Sequence, residues 1–369
     1  MNENIKNLEN LGYNLFFESR KGNLESQDFL PARVIAEYKE AYKVKNIHGE
    51  FLARITGKQM FEATEREDYP AVGDWVLIEE ADKEHAVIKS ILPRQTIIKR
   101  RFGNKNKLGE KNDVQIIATN IDVGFVIESV DRDYNLNRFE RYFAILEDGG
   151  VKGAIILNKT DLLSEGERED KLEELKNRFP DIDIVMTSTF NNDGLEELKK
   201  YIEKGKTYCF LGSSGVGKSS LINKLIGEEV IETRDISSYS DRGKHTTTGR
   251  QMYFLDNGGI VIDNPGIREV GMLNVQNGIE EFFEEISSVG KKCKYSDCTH
   301  THEPGCVVLE AKNSGIIDED KYENYTNLKK EAEYYDMNEK DKRQKNKDFG
   351  KFLNKAKKDF KRFGHGNYQ

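Results

Sequence analysis

The sequence predicts a multidomain α/β protein with a small N-terminal β-barrel, a central parallel sheet and a C-terminal metal-binding module. Three observations support this prediction. Short β-type runs separated by turn residues fill residues 32–100. After residue 113, apolar strands alternate with helical segments, which is typical of a parallel sheet with helices on both faces. Near residue 300, three cysteines and two histidines lie close together in the chain.

Length and composition set the broad class. The 369 residues are enough for about two to three domains, and 57 basic against 65 acidic residues give a formal net charge of -8. No apolar run approaches the roughly 18 residues of a membrane helix, and the first residues lack an apolar signal core. Four cysteines are too few for a secreted disulfide framework. We therefore expect a cytoplasmic protein without a membrane partner, and a monomer because nothing indicates an oligomer.

The first 100 residues divide into two parts. Residues 1–31 are polar and weakly patterned, and are predicted to be an N-terminal extension of uncertain order. In residues 32–100, apolar runs at 33–36, 51–55, 74–78 and 86–88 are separated by turn signals such as His48-Gly49. Several short strands at close spacing favour an OB-fold barrel. An SH3-like barrel has the same periodicity and stays open as the alternative.

Two stretches concentrate basic residues in this acidic chain. The first is opposed only by Glu110, and the second by three aspartates. Such patches can contact nucleic-acid phosphates even when the net charge is negative, although a solvated face or tail is equally consistent with them. The first comprises Lys89, Arg94, Lys99, Arg100, Arg101, Lys105, Lys107 and Lys111; the second comprises Lys342, Arg343, Lys345, Lys347, Lys351, Lys355, Lys357, Lys358 and Lys361.

A phosphate-binding loop is the strongest motif in the central region, residues 101–275. An apolar strand ends at Leu211 and a helix begins near Lys218, so the loop between them can surround phosphates with backbone N–H groups. Lys218 supplies positive charge, and the Ser219 hydroxyl is placed to bind Mg²⁺. The residues predicted to bind the nucleotide here are Gly212, Ser213, Ser214, Gly215, Val216, Gly217, Lys218, Ser219 and Ser220.

A second motif predicts which base is bound. Asn158, Lys159, Thr160 and Asp161 follow an apolar strand. A carboxylate at Asp161 can accept hydrogen bonds from the ring N–H and exocyclic amine of guanine, which adenine does not offer in that arrangement. Asn158 can tie the loop to the purine edge, and the Lys159 stem can pack along the ring. Ser188 and Thr189, after the strand 182–186, are predicted to support the base from the other side. We therefore expect GTP and GDP as ligands.

Two further segments complete a predicted Mg²⁺ site. Asp263 follows the apolar strand 260–262, where a carboxylate can hold Mg²⁺ through water, and the Gly266 N–H can sense the γ-phosphate. The threonine-rich segment 243–249 is suited to closing over the metal, with Thr247 favoured as the ligand and Thr246 close behind. The residue after Gly266 is Ile267, which cannot orient the attacking water. Intrinsic hydrolysis should therefore be slow, and the water must be positioned by another group or by a partner. His245 is the candidate because its side chain can polarise water near neutral pH.

The C-terminal region, residues 276–369, is predicted to be a zinc-binding module followed by a basic helical tail. Three thiolates and one imidazole are the ligand set of a closed structural zinc site, and a loop-rich segment needs such a cross-link. His302 could replace His300 as the fourth ligand. A redox cluster is disfavoured because no Cys-x-x-Cys pair is present. The predicted zinc ligands are Cys293, Cys298, His300 and Cys306.

The base-reading motif precedes the phosphate loop, which reverses the usual order of a G domain. Together with Tyr69–Trp75, Gly243–Thr248 and the cysteine cluster, this order resembles the circularly permuted, ribosome small-subunit-dependent GTPases of the RsgA/YjeQ type. The resemblance covers about residues 32–335. It implies an OB-fold, a permuted P-loop G domain and a C-terminal zinc module. This chain departs from the family pattern in its long polar start, its acidic balance and Thr189, where alanine is usual.

The resemblance also implies a function. It indicates a GTPase that contacts 16S rRNA on the small ribosomal subunit during late maturation, is stimulated by the subunit, and is released when GTP is hydrolysed to GDP and phosphate. The competing hypothesis is an RNA-binding module whose G domain senses nucleotide without productive turnover.

Overall fold

The N-terminal segment packs on the rest of the chain. The computed structural model describes residues 7–21, 29–39, 41–102, 113–131, 134–229, 231, 250–263 and 275–337, with separate residues between 340 and 353. A short helix, α1 (Leu15–Arg20), is capped by Asn14, whose side chain accepts a hydrogen bond from the Phe16 amide at 2.9 Å. Sequence reasoning left this segment without predicted order. In the structure, four of its apolar side chains are buried against Trp75 and Leu77: Leu8, Leu11, Tyr13 and Phe17.

Five strands form the barrel. They are β1 (Leu30–Glu37), β2 (Tyr42–Lys45), β3 (Glu50–Ile55), β4 (Trp75–Glu80) and β5 (His85–Ile91), with helix α2 (Gly57–Glu62) after β3. The pairing order is β1-β2-β3-β5-β4, and β4 pairs back with β1 to close the barrel. This closed five-stranded arrangement confirms the predicted OB-fold. Sequence reasoning missed β2, because two of its four residues are lysines that interrupt the apolar run.

A separate hairpin follows the barrel. Its strands, β6 (Ile97–Phe102) and β7 (Asp113–Thr119), pair antiparallel. Strand β6 crosses residue 100, where sequence reasoning divided the barrel from the central domain. The hairpin was not predicted, because the basic residues of β6 obscure its alternation.

The central sheet has five parallel strands. They are β8 (Val123–Ser129), β9 (Lys152–Asn158), β10 (Asp183–Met186), β11 (Thr207–Leu211) and β13 (Ile260–Asp263). Their order is β10-β9-β8-β11-β13, followed by the antiparallel strand β12 (Gln251–Phe254). The helices between them are α3 (Leu136–Asp148), α4 (Glu165–Arg178), α5 (Leu195–Tyr201) and α6 (Lys218–Ile226). The predicted alternation of strands and helices is confirmed, and β12 and β13 pair as an antiparallel hairpin.

The barrel and the central sheet are joined by backbone pairing and by one buried cation. Strand β12 pairs antiparallel with β1, where Ala36 lies opposite Gln251. The buried Arg33 guanidinium donates to the carbonyls of Leu11 at 2.5 Å and Asn120 at 2.9 Å. These bonds connect the N-terminal segment, the barrel and the loop before β8. Breaking them would leave buried carbonyls unsatisfied, which costs about 1–3 kcal/mol per group.

The C-terminal module is helical and shares a core with the central domain. Its helices are α7 (Gln276–Phe282), α8 (Glu284–Gly290), α9 (Val307–Asn313) and α10 (Glu319–Asp336). Phe282 stacks on Phe143 of α3 with ring centroids 5.4 Å apart. The buried Glu140 carboxylate accepts from Arg178 at 2.7 Å and from Asn324 at 2.5 Å, which links α3, α4 and α10. None of the helices in the described parts of the chain has the length and apolar content to span a bilayer.

Candidate nucleotide site and metal cluster

The predicted phosphate loop lies between β11 and α6, at the carboxyl edge of the parallel sheet. Its backbone passes close to two other segments. A Cβ atom on Gly212 would lie 2.2 Å from the Ile127 carbonyl oxygen, and one on Gly217 would lie 2.2 Å from the Asn158 side-chain nitrogen. Gly217 also has a φ of 96°, which L side chains rarely adopt. Glycine is therefore required at both positions, while Ser214 and Gly215 are exposed at the tip of the loop.

Lys218 folds back over this loop. Its Nζ donates to the carbonyls of Gly212 at 2.7 Å and Ser213 at 2.5 Å. Burial lowers the pKa of Lys218 to about 8, and the carboxylates of Asp263 and Glu128 oppose this shift. A buried ammonium held by two weak neutral acceptors is suited to exchange them for an anion.

Asp263 ends β13, the neighbour of β11, so it lies at the same edge of the sheet as the phosphate loop. The Asp263 side chain is buried, while Ser219 and Ser220 in the first turn of α6 are partly buried. Strands β11 and β13 are parallel, with Cys209 opposite Ile262. The topology therefore brings two of the predicted Mg²⁺ ligands, Ser219 and Asp263, to one end of neighbouring strands.

The base-reading loop is tied to the phosphate loop through Asn158. The Asn158 side-chain nitrogen donates to the Val216 carbonyl at 2.8 Å, and its oxygen accepts from the Thr187 hydroxyl at 3.1 Å. Thr160 donates to the Thr187 carbonyl at 3.1 Å. All four residues are buried. One buried amide thus positions three loops. Its predicted contact with the purine edge stays a prediction.

Asp161 and Ser188 are joined directly. The Ser188 hydroxyl donates to the Asp161 carboxylate at 2.5 Å, and the Ser188 Oγ accepts from the Phe190 amide at 3.1 Å. The turn is closed by the Ser188 amide, which donates to the Asp193 carbonyl at 3.0 Å. Thr189 is partly buried beside this pair. The structure therefore brings the two predicted base-binding segments together.

Lys159 has a partner that sequence reasoning missed. Its backbone is left-handed, with a φ of 62°, and its Nζ lies 2.7 Å from the Asp131 carboxylate. Asp131 also accepts from the Ser129 hydroxyl at 2.6 Å. The Lys159 ammonium lowers the pKa of Asp131 against the opposing effect of burial. The position of Asp131, just past the carboxyl end of β8, is the signal that could have identified it.

Four of the residues predicted to act in catalysis or to bind the nucleotide and Mg²⁺ lie outside the described part of the chain. They are His245, Thr246, Thr247 and Gly266. The catalytic histidine, the threonine ligand of Mg²⁺ and the γ-phosphate contact stay predictions.

The four predicted zinc ligands come together in the C-terminal module. One ligand atom from each lies within 4.8 Å of all the others: Cys293, Cys298, His300 and Cys306. His300 Nδ1 lies 3.6 Å from the Cys293 sulfur and 3.5 Å from the Cys306 sulfur, and the two sulfurs are 3.9 Å apart. This cluster could hold a metal ion. His302 is not part of it, and its Nδ1 instead contacts the Thr301 hydroxyl at 2.8 Å.

Two groups outside the predicted ligand set support the cluster. The Tyr322 hydroxyl on α10 donates to the His300 carbonyl at 2.5 Å. The Glu303 carboxylate accepts from the amides of Thr299 at 3.0 Å and Thr301 at 3.1 Å. The Thr299 hydroxyl also donates to this carboxylate, and together with the Thr299 amide it lowers the pKa of Glu303 well below its usual range. Sequence spacing gave no sign of Tyr322, because Tyr322 reaches His300 only through the packing of α10.

Part of the first basic stretch forms ion pairs with other residues of this chain. Arg94 forms an ion pair with the buried Asp74 at 2.8 Å, and Lys99 pairs with Glu67 at 3.0 Å. Lys89 pairs with Glu79. Arg94 is therefore a structural residue of the barrel. Arg94 is thus unavailable for phosphates, whereas Lys89 and Lys99 are in partly exposed pairs. Lys105, Lys107 and Lys111 of this stretch lie outside the described residues.

Comparison with known proteins decides the family. A family model described as RsgA GTPase matches residues 91–273. The chain is 36% identical to the small ribosomal subunit biogenesis GTPase RsgA 1 of Bacteroides thetaiotaomicron, over 97% of this chain and 98% of that relative. The chain belongs to the RsgA GTPase family. RsgA 2 of Lactiplantibacillus plantarum is a further relative, with 38% identity over 83% of this chain and 84% of its own length.

Solved structures agree with this membership. YjeQ from Thermotoga maritima has a TM-score of 0.59 and 28% identity, covering 81% of this chain and 97% of its own. YloQ, described as a circularly permuted GTPase, has the same fold at 20% identity, with a TM-score of 0.59 over 85% of this chain and 98% of its own. A second family model, described as 50S ribosome-binding GTPase, matches residues 207–345, which begin at the strand before the phosphate loop. The RsgA resemblance and the circular permutation predicted from loop order are confirmed.

Proposed function

We propose that this protein hydrolyses GTP to GDP and phosphate in the late maturation of the small ribosomal subunit, and that hydrolysis times its release. One observation carries the nucleotide part: the Asn158 amide joins the base-reading loop to the phosphate loop at 2.8 Å. The ribosomal part is supported by relatives that match nearly the whole chain and are named small ribosomal subunit biogenesis GTPases. The two supports are independent, so each has its own test.

The guanine nucleotide would lie across the edge of the sheet. Asp161 would accept from the guanine N–H and amine, with Ser188 and Thr189 beside the base. Backbone N–H groups of residues 212–217 and the first turn of α6 would surround the phosphates, and Lys218 would exchange its carbonyl partners for them. Ser219, Thr247 and Asp263 would hold Mg²⁺, which neutralises phosphate charge when bound.

Hydrolysis needs a group that positions water. Ile267, after Gly266, has no polar atom to do so, and we propose that His245 takes this role. A reaction that depends on such a loop should be slow alone and faster when the small subunit orders the site. If His245→Ala hydrolyses GTP at the parent rate with subunits present, this role is excluded.

We propose that the metal cluster is a structural zinc site. With Zn–S bonds of about 2.3 Å and Zn–N bonds of about 2.0 Å, tetrahedral geometry separates sulfur ligands by about 3.8 Å, and sulfur from nitrogen by about 3.5 Å. The observed 3.9 Å between Cys293 and Cys306 and 3.5 Å from Cys306 to His300 fit those values. Zinc would cross-link the loop between α8 and α9.

The proposed RNA contact uses shape and phosphate charge more than base reading, as is usual for folded RNA. The OB-fold barrel, the basic tail and the zinc module are the candidate surfaces, and 16S rRNA is the proposed target. Because Arg94 is paired with the buried Asp74, it should contribute little to RNA affinity. Lys99 forms a partly exposed pair with Glu67 and stays a candidate for phosphate contact.

The ribosomal assignment is tested by co-sedimentation with purified ribosomal subunits. The protein should sediment with small subunits in a non-hydrolysable GTP analogue and be released in GDP. Large subunits are the matched comparison, since one family model names the 50S particle. Sedimentation with large subunits alone, or with neither, would exclude the small-subunit assignment and leave GTP binding intact.

A further inference from the structure

Phe190 is a large apolar side chain that the fold leaves in solvent. It lies in the turn between β10 and α5, and it is 86% exposed. Leu162, which directly follows Asp161, is 59% exposed. Leu162 follows Asp161 in the chain, and Phe190 lies two residues after Ser188, whose hydroxyl donates to the Asp161 carboxylate. The proposed guanine-binding carboxylate therefore has exposed apolar neighbours on two separate loops.

The backbone of this turn is held firmly. The Ser188 hydroxyl accepts from the amides of Phe190 at 3.1 Å and Asn191 at 3.4 Å. The Asn191 side chain donates to Asp193 at 2.7 Å. Gly194 closes the turn with a φ of 70°, and a Cβ there would lie 1.8 Å from the Met186 carbonyl oxygen. A fixed backbone presents the Phe190 ring at low entropic cost, which favours binding by that ring.

The Ser188 hydroxyl is the only atom between the Phe190 amide and the Asp161 carboxylate in this chain of hydrogen bonds. The Phe190 side chain starts from this backbone position, and a phenylalanine is long enough to reach a base held by Asp161. Purines have flat π-faces, and an aromatic ring on such a face excludes water from it. The occupant that fits this pair of exposed side chains is therefore the nucleobase itself.

We propose that Phe190 is a nucleobase-binding residue that covers the guanine ring held by Asp161. This inference rests on the proposed GTP-binding function and adds to it a residue that the sequence motifs did not indicate. Lys159, held by Asp131 at 2.7 Å, approaches the same base from the loop after β9. The base is then contacted from two loops, while the phosphates are bound by a third.

Calorimetric titration with GDP tests this residue. Phe190→Ala should weaken GDP binding about 5- to 150-fold, the range for losing one base–aromatic stack, and Phe190→Tyr should retain it. Phe61→Ala is the matched control, since Phe61 is 91% exposed on the barrel. It should bind GDP like the parent. A Phe190→Ala protein that binds GDP within twofold of the parent would overturn the proposal.

Fluorescence gives a second measurement that does not depend on affinity. The chain has a single tryptophan, Trp75, which is fully buried in the N-terminal part and provides a constant background. In Phe190→Trp, GDP should quench the new indole, whereas inorganic pyrophosphate, which has no base, should not. GDP binding without quenching would contradict contact with the base. Failure of the parent protein to bind GDP would instead refute the proposed function.

Discussion

The Asn158 side chain donates a 2.8 Å hydrogen bond to the Val216 carbonyl, so one buried amide connects base recognition to phosphate binding. Its oxygen is occupied by the Thr187 hydroxyl at 3.1 Å. Asn158→Ala would leave both partners unsatisfied inside the protein. We expect a loss of about 1–3 kcal/mol in the free energy of unfolding and weaker binding of both GDP and pyrophosphate.

Chemical denaturation and calorimetry measure these two losses. Asn277→Ala, an exposed site on α7, is the control and should change the free energy of unfolding by less than about 0.5 kcal/mol. If Asn158→Ala weakened GDP binding but left pyrophosphate binding unchanged, the link between the loops would have no functional effect.

Asp161 should determine the choice of base. Asp161→Asn replaces a charged acceptor with an amide, so the bonds from the guanine N–H and amine are lost or weakened. Hydrogen bonds to charged groups contribute about 1.5–3 kcal/mol each, and GDP affinity should fall at least about tenfold. Xanthosine diphosphate carries a carbonyl where guanine carries the amine, and should bind the variant better than the parent. Equal GDP affinity in both proteins would refute the role of Asp161.

GDP affinity should depend on the protonation of Lys218. Burial places its pKa at about 8 in the free protein, and bound phosphates should raise that value because they favour the charged form. Nucleotide binding then takes up a proton above pH 8. Affinity should fall by about twofold between pH 7 and 8 and more steeply towards pH 9, by up to about tenfold per pH unit. Lys218→Arg stays charged throughout, so its affinity, whatever its value, should lack this decline.

The two neighbouring histidines separate the metal ligand from its alternative. His300 lies in the cluster, while His302 bonds to Thr301. Purified parent and His302→Ala should each contain about one zinc ion per chain, and His300→Ala should contain less. Because Cys306 and Ile155 belong to one buried core, loss of zinc should also lower the melting temperature of the central domain. Equal zinc content in all three proteins would exclude His300 as a ligand.

The sequence predicted most of the fold where apolar periodicity was strong. Strands β9 and β11 are apolar runs, and the base-reading motif and the phosphate loop follow them directly. Sequence reasoning missed β2 and β6, because lysines and arginines in these strands conceal the alternation. It also described the first 31 residues as polar, although Tyr13 and Phe17 pack on Trp75. The burial of such widely spaced apolar residues can be predicted only when the surface they pack against is known.

In the nucleotide site and the metal cluster, too, local sequence patterns were predictable and tertiary contacts were not. Contiguous motifs identified Asp161, Lys218 and the four clustered Cys and His residues. Sequence reasoning did not find Asp131, Tyr322 or Phe190, because each reaches its site through tertiary packing or lies beside a motif without belonging to it. The Arg94 ion pair with Asp74 was hidden for the same reason, since its partner lies 20 residues away in the turn before β4.

The central claim is that the nucleotide site turns over GTP in response to the small ribosomal subunit. The direct measurement is the rate of phosphate release from GTP by the purified protein, alone and with purified small or large subunits. The account predicts a slow rate alone, a strong increase with small subunits and little change with large subunits. A rate that small subunits leave unchanged would contradict it, and would favour an RNA-binding protein that senses nucleotide without productive turnover.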